Sequence, residues 1–427
     1  MGDKPGVFYG WVIVLISFVT LVLVMGTRFT FGIFYIAILE ETGWSRAATA
    51  GIFSVSMLVY AVASLGVGVA FDRLGPRRLF PIAALILGCG YMLCSRIETL
   101  WQFYVFYGVV VGVGLTALGF VPHVSLVSRW FVRQRGMANS LALSGQGVGA
   151  LALAPLTEVL IAQMGWRNSF LFYGILLPVV LLPLMWVWLR PSPQSMGLQP
   201  DGDATPPVVA TPSPKPTAIP DGAAAGLYPQ LLKNPAFWAL FFIVFTLALN
   251  HMTLVVHQTA YLVDRGFQPE FAAWMLGISG ILRSGGTIIW GTISDRATRE
   301  SAFTLSALLG LVSVPFLLIA SPGTGIWTVT VFVLLMGLGY GGINVVYAAS
   351  AADLFQGPNF GKILGLLDVG FGLGAALGTY VAGYLFDRFQ SYHLTFYGVM
   401  GMILVTIGCI WIAAPRRAQA QSRAAAS

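Results

Sequence analysis

Apolar stretches long enough to cross the ~30 Å of hydrocarbon in a bilayer recur along the whole chain. They fall at roughly 11–37, 47–71, 78–95, 101–126, 137–163 and 168–189, and resume at roughly 236–263, 271–293, 302–320, 325–351, 361–386 and 392–414. Lipid offers no partner for a backbone N–H or C=O, so spanning segments of this length must be helices that satisfy their own hydrogen bonds. The pattern predicts an all-α membrane protein with twelve transmembrane helices in two six-helix, pseudo-symmetric bundles. The interval between the two sets, residues 191–235, holds 11 of the chain's 23 prolines and few large apolar side chains. Such a segment cannot bury enough surface to fold, and it reads as a linker. Residues 1–190 are therefore expected to form the N-terminal bundle, and 236–427 the C-terminal bundle with a short tail.

The two sets repeat one another. "GVAFDRLGPRR" (Gly68 to Arg78) follows the second span and "GTISDRATR" (Gly291 to Arg299) the eighth, each with glycine four residues before an Asp-Arg pair. "SGQGVGALALAP" in span five is answered by "DVGFGLGAALG" in span eleven, and glycines at that density let helices approach closely. Two repeated halves joined by a linker describe a transporter whose site lies between them.

Composition strengthens this picture. The 427 residues are 57% hydrophobic and 9% charged, against about 25% charged in an ordinary soluble domain. The net charge of +7 is explained by topology. With the N-terminus inside, sixteen Lys and Arg fall in cytoplasmic segments and five on the opposite side. That asymmetry puts both termini and the linker in the cytoplasm of a cell with the chain in its inner membrane, and it removes the reason to expect a nucleic-acid partner. The three cysteines have no metal-ligand spacing and read as small buried hydrophobes. "MGDKPGVFYGW" lacks the short apolar core of a cleaved signal peptide.

These features resemble the major facilitator superfamily over the whole chain, and "GVAFDRLGPRR" is similar to that superfamily's cytoplasmic gating motif. The resemblance implies the major facilitator fold and a gating role for Asp72, Arg73 and Arg77, with Asp295 and Arg296 as their counterparts in the second half. A narrower resemblance is carried by "WFVRQRGMANSLALSGQGVGALALAPL" (Trp130 to Leu156), "GWRNSF" (Gly165 to Phe170), "FYGW" (Phe8 to Trp11) and "ETGWSRA" after span one. These resemble the monocarboxylate transporters and their bacterial relatives, a group that includes the oxalate–formate exchangers. Such relatives carry an arginine in span eight, a lysine near the place of Arg28, and often a histidine at the place of His257. The chain departs from them in one respect. Counting back from Gly291, they place a carboxylate or amide eight residues before and arginine four before. Here Arg283 and Thr287 hold those positions, which moves the charge one turn, about 5.4 Å, along the same face.

Apart from histidines, the ionisable groups inside the spans are Arg28, Glu158, Arg283 and Asp368. Each costs a few kcal/mol at the bilayer centre unless it faces a partner or a wet cavity. Arg283 lies mid-membrane in span eight. Its paired donors suit a carboxylate clamp, and the structural alternative is an ion pair with Asp368. Arg28, past the middle of span one, reads as a second cavity charge, or as an arginine reaching toward the outer interface. Low-dielectric surroundings favour a neutral carboxyl, so Asp368 can load and release a proton and is the expected coupling site. Glu158 is expected near headgroups or in an interhelical bond. His257 could hydrogen-bond substrate or join a proton path. His251 is expected to face a helix neighbour, and His123 to be structural. Tyr340, Asn344 and Tyr347 follow i, i+4, i+7 spacing and form one polar stripe on span ten, either cavity wall or interhelical bonding. Gln146, inside the glycine run of span five, is a further candidate for contact with substrate.

Glycine patterns such as "GVVVGVG" have no preceding strand, Walker lysine or downstream acidic residue, and neither a nucleophile–base pair nor zinc spacing occurs. The chain is expected to be no enzyme and to need no cofactor or metal. The expectation is a secondary transporter, functional as a monomer in the lipid bilayer. It would move a small organic anion, a monocarboxylate, with a proton by alternating access. The rivals are a carboxylate exchanger, favoured by two arginines, and an efflux carrier for aromatic or drug-like acids, favoured by apolar "TALGFVPHV". A transporter-like sensor is disfavoured by the short tails.

Overall fold

In the computed structural model, residues 8–202, 231–355 and 360–413 are described, with the side chains of 295, 344, 345, 352 and 360–362 left out. Eleven helices in these residues are long and apolar enough to cross a membrane. One of them is 54 residues long and is broken by Gly165 at φ 77°, a backbone that favours glycine. The break divides it into two spans, so twelve are present as expected. They are α1 (Gly10–Thr42), α2 (Arg46–Leu74), α3 (Pro76–Cys94), α4 (Leu100–Trp130), α5 (135–164) and α6 (166–188), then α7 (Pro235–Asp264), α8 (Pro269–Arg296), α9 (Arg299–Leu318), α10 (Trp327–Leu354), α11 (Phe360–Phe389) and α12 (His393–Ala413).

Two helices are interrupted beside the centre of the molecule. α1 bends at Thr30, where the hydroxyls of Thr27 and Thr30 bond back to Val24 O and Thr27 O, a habit that distorts helices. α4 is π-wound over Tyr104–Val111 and breaks at Leu118 and Gly119. The start of the proline-rich stretch is also anchored. Asp201 accepts from the backbone N–H groups of Val132 (3.1 Å) and Arg133 (2.9 Å), tying it to the α4–α5 turn.

Each half has its own buried apolar cluster, and the first extends into α7, α8 and α11 where the halves press together. The halves meet along three seams, α1 on α7, α2 on α11 and α5 on α8. Glycine makes the approach possible. A Cβ at Gly147 of α5 would lie 2.2 Å from Ser284 Oγ and 2.8 Å from Gly280 O of α8. One at Gly383 of α11 would lie 2.6 Å from Arg46 O of α2. The long glycine runs noted in spans five and eleven thus serve as contact faces.

We call the end carrying residues 189–202 the linker end and the opposite one the far end. At the far end the halves are fastened. Asp387 of α11 accepts from the N–H groups of Arg46 (2.9 Å) and Ala47 (2.8 Å), the first turn of α2. The Arg46 guanidinium pairs with Asp264 of α7 (2.7 Å), donates to Tyr392 (2.8 Å) and lies 3.7 Å from the Phe386 ring centroid. Toward the linker end the last hydrogen bond between halves, among the described residues, is Tyr60 to Asp368. Beyond it, a Cβ at Gly66 or Gly68 of α2, or at Gly365 of α11, would meet nothing within 4 Å. The molecule is closed at the far end and parted at the linker end.

Asp387 belongs to "GYLFDRF" (383–389), a third glycine-four-before-Asp-Arg segment beside those at Gly68 and Gly291. Its carboxylate receives two amides, and hydrogen bonds to a charged acceptor contribute about 1.5–3 kcal/mol each. Asp387→Ala should therefore shift the population toward far-end opening by tenfold or more. Labelling of a cysteine placed at Val256, buried where α7 meets Gly32 of α1, should accelerate accordingly in a cysteine-free background. Labelling at the parental rate would mean that Asp387 does not hold the gate.

Candidate functional site

The polar groups at mid-membrane sit where the three seams meet. Arg283 is the fifteenth residue of the 28-residue α8 and is half-buried. Its Nη1 is hydrogen-bonded to His251 Nε2 of α7. Guanidinium nitrogens only donate, so Nε2 is the accepting nitrogen. The charge also stands 4.7 Å from the centroid of Phe29 on α1, a cation–π contact from the other half. The expected alternative, an ion pair between Arg283 and Asp368, is not formed. The imidazole of His251, six residues before His257, takes that place, because α7 lies beside α8 and turns His251 inward.

Asp368, half-buried near the linker-end third of α11, instead accepts from Tyr60 of α2 at 2.8 Å. Arg28 stands over the same Tyr60 ring, 5.2 Å from its centroid, with Nη2 2.9 Å from Met57 Sδ and Nε without a partner. It is only 6% exposed, so it does not reach the outer interface. The centre of the molecule thus holds two guanidiniums, one carboxylate and one imidazole, and Arg28 is near enough to both Arg283 and Asp368 to interact with them electrostatically.

Of the expected stripe on α10, Tyr340 and Tyr347 are buried, and the Asn344 side chain lies outside the described residues. The Tyr340 ring is 5.4 Å from His251, and its hydroxyl is buried without a hydrogen-bond partner. Tyr347 is close enough to Asp368 to interact with it electrostatically. Gln146 is half-buried between the two glycine faces of α5. His257 is elsewhere, with both ring nitrogens engaged, Nδ1 with the Tyr392 hydroxyl (3.0 Å) and Nε2 with Thr379 O (2.9 Å). Since Tyr392 also accepts from Arg46, His257 completes the far-end closure and does not face the central groups. His123 is fully buried against Phe80, its ring nitrogens unpartnered.

At the linker end, Asp72 is 3.4 Å from Arg129 of its own half, and Arg73, Arg77 and Arg296 are exposed. The Asp295 side chain lies outside the described residues. In the second half Arg299 joins Asp353 at 2.9 Å. Both of these described ion pairs lie within a half.

The family model described as Major Facilitator Superfamily matches residues 16–345 and 303–427. The chain belongs to the major facilitator superfamily. Within the superfamily it is 27% identical to monocarboxylate transporter 13 of Bos taurus, over 96% of this chain and 90% of that one. It is 22% identical to the oxalate:formate antiporter of Oxalobacter formigenes, over 86% and 85%. The inward-facing, unoccupied structure of a bacterial homologue of the human lysosomal transporter Spinster superposes with TM-score 0.70. It is 17% identical and covers 97% of this chain and 96% of that one. This is a superfamily transporter related to both monocarboxylate and oxalate–formate carriers.

Sequence reasoning missed several partners in this superfamily member. Tyr60, Met57 and Phe29 carry no signal in an apolar span, since their role depends on which way each helix is turned. Asp387 could have been found from its Gly-to-Asp-Arg spacing. Tyr340 offers a direct test. An unsatisfied buried hydroxyl costs roughly 1–3 kcal/mol, so Tyr340→Phe should raise the apparent melting temperature of the purified, substrate-free protein. A marked fall in melting temperature would mean that the hydroxyl has a structural partner.

Proposed function

We propose that the protein is a secondary active transporter moving a small organic anion, a monocarboxylate, together with a proton by alternating access. The observation that carries this reading is Arg283, a mid-membrane guanidinium whose described hydrogen-bond partner is an imidazole and which forms no ion pair among the described residues. A substrate carboxylate supplies that counter-charge, with two oxygens matching the paired donors. Tyr340, with its unpartnered hydroxyl, supplies a further donor from α10. Arg28 adds attraction from the opposite half, so the anion is gripped by both moving bodies. The monocarboxylate transporters among the relatives accord with this.

Asp368 is the proton site in this reading. When ionised it offsets Arg28, and protonation removes that offset, so proton and anion bind with positive coupling. The Lys and Arg asymmetry supports an inner-membrane location with the linker and both termini in the cytoplasm, so that the linker-open form is inward-facing. One chain supplies all the central groups, which supports function as a monomer. The second reading, a carboxylate exchanger, is favoured by the presence of two guanidiniums, which would suit a dicarboxylate.

The first experiment is uptake and counterflow of radiolabelled lactate, pyruvate, oxalate and benzoate in proteoliposomes. Gradient-driven accumulation supports symport, and counterflow indifferent to pH supports exchange. Arg283→Lys should fold but lose at least tenfold in apparent affinity, because an ammonium cannot make the paired contact. Unchanged affinity would move the clamp to Arg28. Asp368→Asn should still exchange substrate, yet an imposed proton gradient should no longer drive accumulation. If the variant still concentrates substrate, the proton travels by another route.

A further inference from the structure

Tyr60 touches both charges that the proton-coupled reading needs and belongs to neither. Its hydroxyl donates to Asp368 Oδ2 across the seam between halves, at 2.8 Å. Its ring lies beneath the Arg28 guanidinium, 5.2 Å away, and meets Phe371 edge to face, with centroids 6.0 Å apart. Phe371 stands one turn after Asp368 on α11, so the tyrosine is held at hydroxyl and ring by the same helix. Met57, which receives Arg28 Nη2, stands one turn before Tyr60 on α2. Arg28 is thereby held against the wall of its own half by a thioether and an aromatic face. Both are weak partners for a buried guanidinium. The Arg28 Nε has no partner at all.

We propose that Tyr60 is a positioning residue that makes the availability of Arg28 to substrate depend on the protonation of Asp368. The inference rests on the proton-coupled reading above and assigns how that coupling is transmitted. An ionised carboxylate is a strong acceptor, and its bond to Tyr60 is about twice as strong as one between neutral groups. It fixes the ring under Arg28 and draws the guanidinium toward the α2–α11 seam. Protonation weakens the bond and removes the charge, which frees Arg28 to turn from Met57 toward an anion beside Arg283. The groups acting on Asp368 are Tyr60 from α2, Arg28 from α1 and Tyr347 from α10. Of these, Tyr60 is the one that contacts Asp368 and Arg28 together. Its place is suited to the task, since Tyr60 to Asp368 is the last described hydrogen bond between the halves before they part. A change there is felt at the rim of the opening.

The test is the pH dependence of counterflow affinity, measured with whichever of lactate, pyruvate, oxalate and benzoate the parental protein exchanges. The parental KM should rise tenfold or more between about pH 5.5 and pH 8, and in Tyr60→Phe that ratio should shrink to less than about threefold. The phenylalanine keeps the ring under Arg28, so a structural loss alone would change the maximal rate and leave the ratio as it was. Met57→Leu removes the sulfur acceptor of Arg28 and should flatten the profile in the same direction. If Asp368→Asn flattens the profile and Tyr60→Phe retains the parental ratio, the positioning role is wrong while the proton-coupled reading stands. If Asp368→Asn itself leaves the ratio intact, the proton-coupled reading fails and this inference with it.

Discussion

A charge in hydrocarbon must be met by something, and the centre of this molecule is arranged around two arginines that obey that rule incompletely. Arg283 is met by an imidazole and an aromatic face, Arg28 by a thioether and another aromatic face. Among the described residues neither guanidinium is paired with a carboxylate, although Asp368 is near enough to Arg28 to interact with it electrostatically. Partners of this strength hold a cation among apolar helices without neutralising it.

The rest of the fold can be understood as support for that centre. Glycine faces on α5, α8 and α11 let the halves touch from the far end as far as the central groups, Gly147 against Ser284 and Gly372 against Ala61, and they part beyond Tyr60 and Asp368. At the far end Arg46, Asp264, Asp387, Tyr392 and His257 form one connected set of bonds. Those made by Arg46 and Asp387 cross between the halves, and Tyr392 to His257 braces them from within the second half. At the linker end Asp72 bonds to Arg129 of its own half, and Arg299, which closes the repeat of that motif, to Asp353 of its own.

The two histidines of α7 show how narrow the division between roles can be. They are six residues apart on one helix, and both are buried. His251 accepts from Arg283, whereas His257 is engaged by a tyrosine hydroxyl and a backbone carbonyl. The difference lies in depth. One stands where the halves leave a polar centre, the other where they are sealed.

Twelve spans, two repeated halves and the linker between them were legible from the chain alone, because apolar length and proline content are local properties that the bilayer converts directly into architecture. The presence of Arg28, Arg283 and Asp368 inside the spans was equally legible, since each falls within an apolar stretch long enough to cross lipid. What depended on tertiary structure was pairing. Whether Arg283 meets Asp368 or His251, and whether Asp368 meets an arginine or Tyr60, depends on how each helix is rotated about its own axis. That rotation is set by glycine contacts between helices far apart in the sequence. Spacing along one helix names the face a residue shares, and only the packing of several helices decides what that face meets.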